Sequence, residues 1–333
     1  MSDSPAKSSS SDVFPHIYVS DTDLKFPDFQ TMGYGRYTEF KPLSRGGSAV
    51  LQTCRDKNLG RTVVIKTLHA HLAQHEAMRA RFLREARVTA QLQHPATVPV
   101  YDLGYVLDQR MYFTMKHLEG RTLRQILDQQ IAHDDAAIAE FSLDRLLDVL
   151  INVCDCLAFA HAHGVVHRDV KPENILVGFF GETTILDWGV AKVWAMDDAG
   201  ADRIAHEVLT DVNQRPGTPL YMSPEQVRGG GLGIDARTDV YSAAAVLYEI
   251  LTLVEPLHGK NIAETFQMIA NARPMPPQER SPQRNIPREL AAIAMQGLEK
   301  KPADRFAAML EMIAALRCFR SQSLQGANSD EDE

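Results

Sequence analysis

The sequence predicts an α+β fold, and three observations carry that reading. Five short β-type segments fall between Tyr37 and Met115. A helix-like stretch, Leu72 to Leu92, interrupts them after the third. From Leu143 to His163 the apolar positions 143, 146, 147, 150, 151, 154 and 157 form one face of a long helix. A chain of 333 residues is long enough for one large or two ordinary domains with a substantial core.

The elements follow in order. Residues 1–36 form a Ser-, Asp- and Pro-rich leader with no sustained hydrophobic period, expected as a flexible arm. β-type segments are expected at about 37–43, 49–56 and 61–68, the last two joined by a Lys57-Asn58-Leu59-Gly60 turn. In the helix after them, Phe82, Leu83, Ala86 and Leu92 make an inward stripe. His94-Pro95 stops it, because proline disfavours helix in its predecessor. Val98–Leu103 and Arg110–Met115 read as two further strands, and Gly164 stands where the long helix should end. Ile175–Val177 and Thr184–Leu186 suit a short hairpin, and residues 319–333 are expected as a disordered acidic tail.

Composition excludes several classes. With 44% hydrophobic and 23% charged residues the chain is an ordinary globular one, and no apolar run reaches membrane-spanning length. The net charge of −8 sits mainly in the two ends, so the body is nearly neutral and lacks a basic nucleic-acid footprint. Cys54, Cys154, Cys156 and Cys318 are too few and scattered for a disulfide framework, and are expected as reduced thiols in the cytoplasm.

The chemistry concentrates in His167-Arg168-Asp169-Val170-Lys171-Pro172-Glu173-Asn174, which sets a carboxylate, an ammonium and an amide within six residues. This octet resembles the catalytic loop H-R-D-x-K-P-x-N of eukaryotic-type serine/threonine protein kinases. Other motifs follow that family's order: Val63-Val64-Ile65-Lys66, Glu85 in the helix, Asp187-Trp188-Gly189, Gly217 to Glu225, Asp239, and Lys301 to Arg305. Tryptophan in the D-W-G triplet is similar to many bacterial members. The glycine loop matches imperfectly: Gly46 fills the second glycine position, while Ser44 and Ala49 replace the first and third.

The resemblance implies a bilobal kinase-like fold over residues 37–318, with an N-lobe at 37–115, a hinge at 116–118 and a C-lobe at 119–318. It implies ATP and Mg2+ in the cleft and a Ser/Thr-containing protein as acceptor. Leu43, Ser44, Arg45, Gly46, Gly47, Ser48, Ala49, Val50 and Leu51 would cover the nucleotide, and Met115 and Leu118 would border the adenine. Lys66, held by Glu85, would grip the α- and β-phosphates. Asp187 and Asn174 would hold metal, with Asp169 as base and Lys171 on the moving phosphoryl group. Asp239 would anchor the catalytic loop, Thr218 would bond near Asp169, and Arg305 would pair with Glu225. Thr210, the one hydroxyl between Asp187 and Thr218, would be either an activating phosphosite read by Arg168 and Lys192 or a solvated loop residue in a segment active unmodified. A nucleotide-binding pseudokinase is the alternative, resting on Ser44 and Ala49. A small-molecule kinase is disfavoured by Gly217–Glu225, and a tyrosine kinase by Lys171 and Thr218. Oligomeric state is not legible.

Overall fold

The computed structural model describes residues 32–189, 191–193, 219–229 and 233–329. Its first part is a five-stranded antiparallel sheet ordered β1-β2-β3-β5-β4. The strands are β1 (Tyr37–Arg45), β2 (Ala49–Asp56), β3 (Arg61–Leu68), β4 (Val100–Tyr105) and β5 (Met111–Lys116). Alternation along the strands divides their side chains between two faces. One face buries Tyr37, Cys54, Val63, Ile65 and Tyr112. The other buries Ala49, Leu68, Met111 and Phe113 beneath Phe82 and Ala86 of helix α1 (Glu76–Gln91).

Helix α1 begins later than its apolar period suggests. Residues Ala70–Leu72 form a separate 3-10 turn, and Glu76 supplies an acidic first turn that suits the helix dipole. The expected leader also ends earlier. Gly33–Arg36 is a 3-10 turn, Arg36 makes a two-pronged pair with buried Asp56 at 2.5 and 2.6 Å, and Tyr34 stacks on Phe40. Two opposed aromatics and a bidentate ion pair hold a segment that composition alone marks as linker. Lys116, expected to open the hinge, is still paired with Val63 as the last residue of β5.

The second part is mainly helical. Short β6 (Arg121–Thr122) leads to α2 (Leu123–Ile131), α3 (Asp135–Glu140) and α4 (Leu143–Ala162). Ser142 caps α4, and Gly164 beyond its end adopts φ +72°, where a side chain would be strained. β7 (Val165–Val166), β8 (Ile175–Val177), β9 (Thr183–Ile185) and β10 (Lys192–Val193) follow. β6, β8 and β9 form one small sheet, and β7 pairs with β10. The remaining α-helices among the described residues are α5 (Pro224–Arg228), α6 (Ala236–Thr252), α7 (Ile262–Asn271), α8 (Pro277–Arg280), α9 (Arg288–Gly297) and α10 (Met309–Ser329). Every residue of α6 from Thr238 to Thr252 is buried, so it is the axis around which the core packs.

The C-terminal segment is helical beyond residue 318. Helix α10 continues past 318 as far as Ser329, and Arg317 and Arg320 reach Asp155 and Asp148 on α4. Both are largely exposed ion pairs, and Phe319 between them packs against the core. The final four acids, Thr210, Gly217 and Thr218 lie outside the described residues, as does the side chain of Lys192.

Candidate active site

The catalytic octet lies between β7 and β8, suspended above α6. Asp239 of α6 is fully buried, and its carboxylate accepts the backbone N–H groups of His167 and Arg168, both at 2.8 Å. His161 Nε2 donates to the same carboxylate at 2.7 Å. Burial would raise the Asp239 pKa, but these donors and the nearby imidazoles outweigh it and hold the group below its ordinary value. Arg168 takes φ +72°, a conformation costly for a non-glycine residue that persists here because both its backbone groups are fixed. Its N–H goes to Asp239, and its carbonyl accepts Gln226 Nε2 of α5 at 2.7 Å.

This scaffold presents Asp169, Lys171 and Asn174 together. Lys171 Nζ donates to both Asp169 carboxylate oxygens, at 2.7 and 2.9 Å. Asn174 Nδ2 donates to Asp169 Oδ2 and to the Asp169 carbonyl, each at 2.9 Å. Its amide nitrogen thus faces Asp169 and its oxygen faces away. The Leu186 N–H donates to the Asn174 carbonyl at 2.7 Å, which fixes the start of the D-W-G turn beside the octet.

Lys66 enters from β3. Register places Lys66 opposite Leu51 on β2 and Phe113 on β5, so the three share one face of the sheet. Its ammonium forms a buried salt bridge with Glu85 of α1 and lies 3.9 Å from Asp187 Oδ1. Burial pulls the Lys66 pKa down, but the carboxylates of Asp187 and Glu85 outweigh it, so the lysine stays charged. Glu85 is pushed up by burial, and Lys66 offsets this only in part. Lys66 holds Asp187 down at about 2, fully ionised at neutral pH.

The D-W-G turn has its own constraints. Asp187 adopts φ +59°, and Gly189 donates its N–H to Asp187 Oδ1 at 3.0 Å. A Cβ on Gly189 would sit 2.8 Å from that oxygen and 3.1 Å from Glu85 Oε2, so a larger residue would displace one of the two carboxylates. Arg81 Nε of α1 donates to the Gly189 carbonyl at 2.8 Å. Trp188 is buried in the main core, edge-on to the His167 ring at 4.5 Å between centroids.

The loop above the cleft is shorter than the sequence suggests. Ser44 and Arg45 belong to β1 and pair with Leu51 and Val50, while Ala49 begins β2 opposite Leu68. Only Gly46, Gly47 and Ser48 remain as the tip. Leu43 is half-exposed, Val50 and Leu51 are partly buried, and Met115 packs partly buried against the α1-facing core. Leu118 follows β5 and is half-buried.

Can these residues hold a divalent metal? Among the described residues, no group of three or more His, Cys, Asp or Glu forms a self-contained cage. Asp187 and Asn174 offer one ionised carboxylate and one amide oxygen, both hard donors. That set fits Mg2+, which takes one or two protein oxygens and completes its shell with phosphate and water.

Comparison with known proteins bears on the same arrangement. Residues 37–315 match the protein kinase domain family. The chain belongs to the protein kinase family. It is 34% identical over 302 residues to the serine/threonine-protein kinase PknD of Chlamydia trachomatis serovar D, covering 85% of this chain and 31% of that protein. It is 37% identical over 285 residues to PknB of Mycolicibacterium smegmatis, covering 84% of this chain and 42% of that one. A probable serine/threonine-protein kinase of Streptomyces coelicolor, SCO3848, is 36% identical over 282 residues, covering 84% and 39%. The chain therefore spans about a third to two fifths of the length of these kinases.

The expected pairings Lys66–Glu85 and Arg305–Glu225 are present. Arg305 meets Glu225 through two parallel bonds of 2.8 Å. Motif reading missed Gln226, His161 and Arg81. Each works through backbone or through another anchor, so only Gln226, three residues after the α5 cap Ser223, carried a local signal.

Proposed function

We propose that this kinase-family chain transfers the γ-phosphoryl group of MgATP to serine or threonine hydroxyls of protein substrates. The observation that carries the reading is a pair of clusters, Asp169–Lys171–Asn174 and Lys66–Glu85–Asp187, tied where the Leu186 N–H meets the Asn174 carbonyl. Kinase-named relatives support it.

Lys66, kept charged and aimed by Glu85, binds the α- and β-phosphate oxygens. Asp169 accepts a hydrogen bond from the acceptor hydroxyl, orients its oxygen toward the γ-phosphorus and takes the proton as the new O–P bond forms. The bond from the γ-phosphorus to the β–γ bridging oxygen breaks, and its electron pair leaves with ADP. Lys171, bonded to Asp169 before reaction, is placed to neutralise charge on the transferring group. Asp187 and Asn174 would hold Mg2+, whose chemistry when bound is charge neutralisation on the phosphates. The cysteines of the described residues are free thiols, which supports work in a reducing cytoplasm.

The decisive experiment incubates the purified chain with labelled MgATP, with and without a generic basic protein, and maps phosphosites by mass spectrometry. Incorporation on Ser or Thr that disappears in Asp169→Ala is expected. Tight MgATP binding without any transfer would instead establish the pseudokinase reading.

A further inference from the structure

We propose that His69 is a positioning residue that holds the tip of the nucleotide-covering loop, supplying rigidity the loop does not get from its sequence. The inference rests on the reading of Gly46–Ser48 as the phosphate-facing tip. His69 immediately follows β3 and is pinned through its whole backbone. Its N–H donates to the Ser48 carbonyl at 3.0 Å, and its own carbonyl accepts the N–H groups of Leu72 and Ala73 at 3.0 and 3.1 Å. With the main chain fixed on both sides, the ring direction is largely set. The imidazole stacks on His71, with centroids 5.4 Å apart and planes 24° from parallel. Its Nε2 lies 2.9 Å from the Gly46 carbonyl oxygen, and since a carbonyl only accepts, Nε2 carries the proton.

The geometry has a consequence for the nucleotide. Two successive glycines, Gly46 and Gly47, give the tip wide backbone freedom. His69 takes the carbonyls of Gly46 and Ser48 on one side, one by its ring and one by its backbone. Peptide planes so held direct their N–H groups without further loss of entropy when phosphate arrives, which is preorganisation. The same residue starts the 3-10 turn that leads into α1, so the loop tip and the Glu85-bearing helix are tied to one point. No acid–base role is implied, because either protonation state of the ring can donate from Nε2.

The test uses the full chain and three proteins: wild type, His69→Ala and His69→Gln. Glutamine places an N–H donor at a similar reach, so it should restore the clamp. In nucleotide-free protein, exchange at the Gly46 amide, bonded to the Ala49 carbonyl at 3.0 Å, should quicken in His69→Ala and stay near wild type in His69→Gln. The Kd and KM for MgATP should rise about fivefold in His69→Ala, the worth of one neutral hydrogen bond. At saturating nucleotide, kcat should remain within about twofold of wild type, and His69→Gln should recover the KM. Unchanged exchange in His69→Ala overturns the clamp. Quickened exchange with unaltered Kd and KM overturns its role in nucleotide binding. If wild type itself binds no MgATP, the proposed function has failed first, and the exchange measurement alone still decides whether the clamp exists.

Discussion

The two loops proposed to carry catalysis and to cover the nucleotide are built on opposite principles. The catalytic loop hangs from a fully buried carboxylate: Asp239 holds two of its backbone N–H groups, and Gln226 holds a carbonyl. The nucleotide loop is a three-residue tip at the surface, tied to the half-buried His69 through two carbonyls. The first arrangement is expensive, because it places ionised groups in the core and fixes Arg168 in a left-handed conformation. Its return is a backbone fixed from both sides. The second costs little, because it fixes two carbonyls at the surface through one neutral side chain and its own backbone. A proton-transfer group must sit within a hydrogen bond of its target, whereas a phosphate cover needs only to close.

The comparison predicts unequal sensitivity to mutation. Asp169→Ala should lower turnover by about 10²- to 10⁴-fold while leaving the melting temperature and MgATP affinity near wild type. Steady-state kinetics and a nucleotide titration on the same preparation check this, and wild-type turnover would remove Asp169 from its assigned role.

Next in size is the support beneath the catalytic side. Arg305→Ala strands Glu225, which also accepts Thr238 Oγ1 at 2.9 Å, and should cost roughly 3–5 kcal/mol of stability in urea unfolding. A loss below about 1 kcal/mol, the range of a surface pair, would mean that this anchor is not a buried one in solution.

Acid should separate the two sides further. Burial raises Glu225, but Arg305 outweighs it and leaves the group below its ordinary value; Asp239 is depressed likewise. Such groups stabilise fully above their unfolded pKa, about 4, and lose that contribution as pH falls through the folded value. Glu85 is raised by burial, so its contribution has the opposite sign: it is present at low pH and lost as pH rises. Between about pH 6 and pH 3, Glu225→Gln should therefore flatten the fall in unfolding free energy, and Glu85→Gln should steepen it. Equal slopes in the two variants would erase the distinction.

The smallest effect belongs to the loop's departures from the family pattern. Ser44 lies in β1 rather than in the tip, so Ser44→Gly should change MgATP affinity by no more than about threefold, one short side chain's worth. Ala49 is buried opposite Leu68, and Ala49→Gly should lower stability by roughly 0.5–1 kcal/mol with little effect on affinity. A large gain in affinity from either glycine would show that the loop is limited by those residues and not by its anchoring.

Much of this molecule is determined by local sequence. β2 and β3 have the bounds their composition suggests, Gly164 ends α4, and Asp169, Lys171 and Asn174 are neighbours because five positions along a tight turn leave little choice. The Lys66–Glu85 and Arg305–Glu225 pairs were legible only through resemblance, since nothing within either local segment names a partner 19 or 80 residues away. Tertiary structure alone decided the rest. α10 meets α4 through Arg317 and Arg320, and the ordered Gly33–Arg36 turn depends on Asp56 and Phe40. His161, Gln226, Arg81 and His69 act on backbone or on anchors far along the chain. Side-chain periodicity reports which face is buried. It does not report which carbonyl a single polar group will meet, because that meeting exists only once the surrounding chain has been packed.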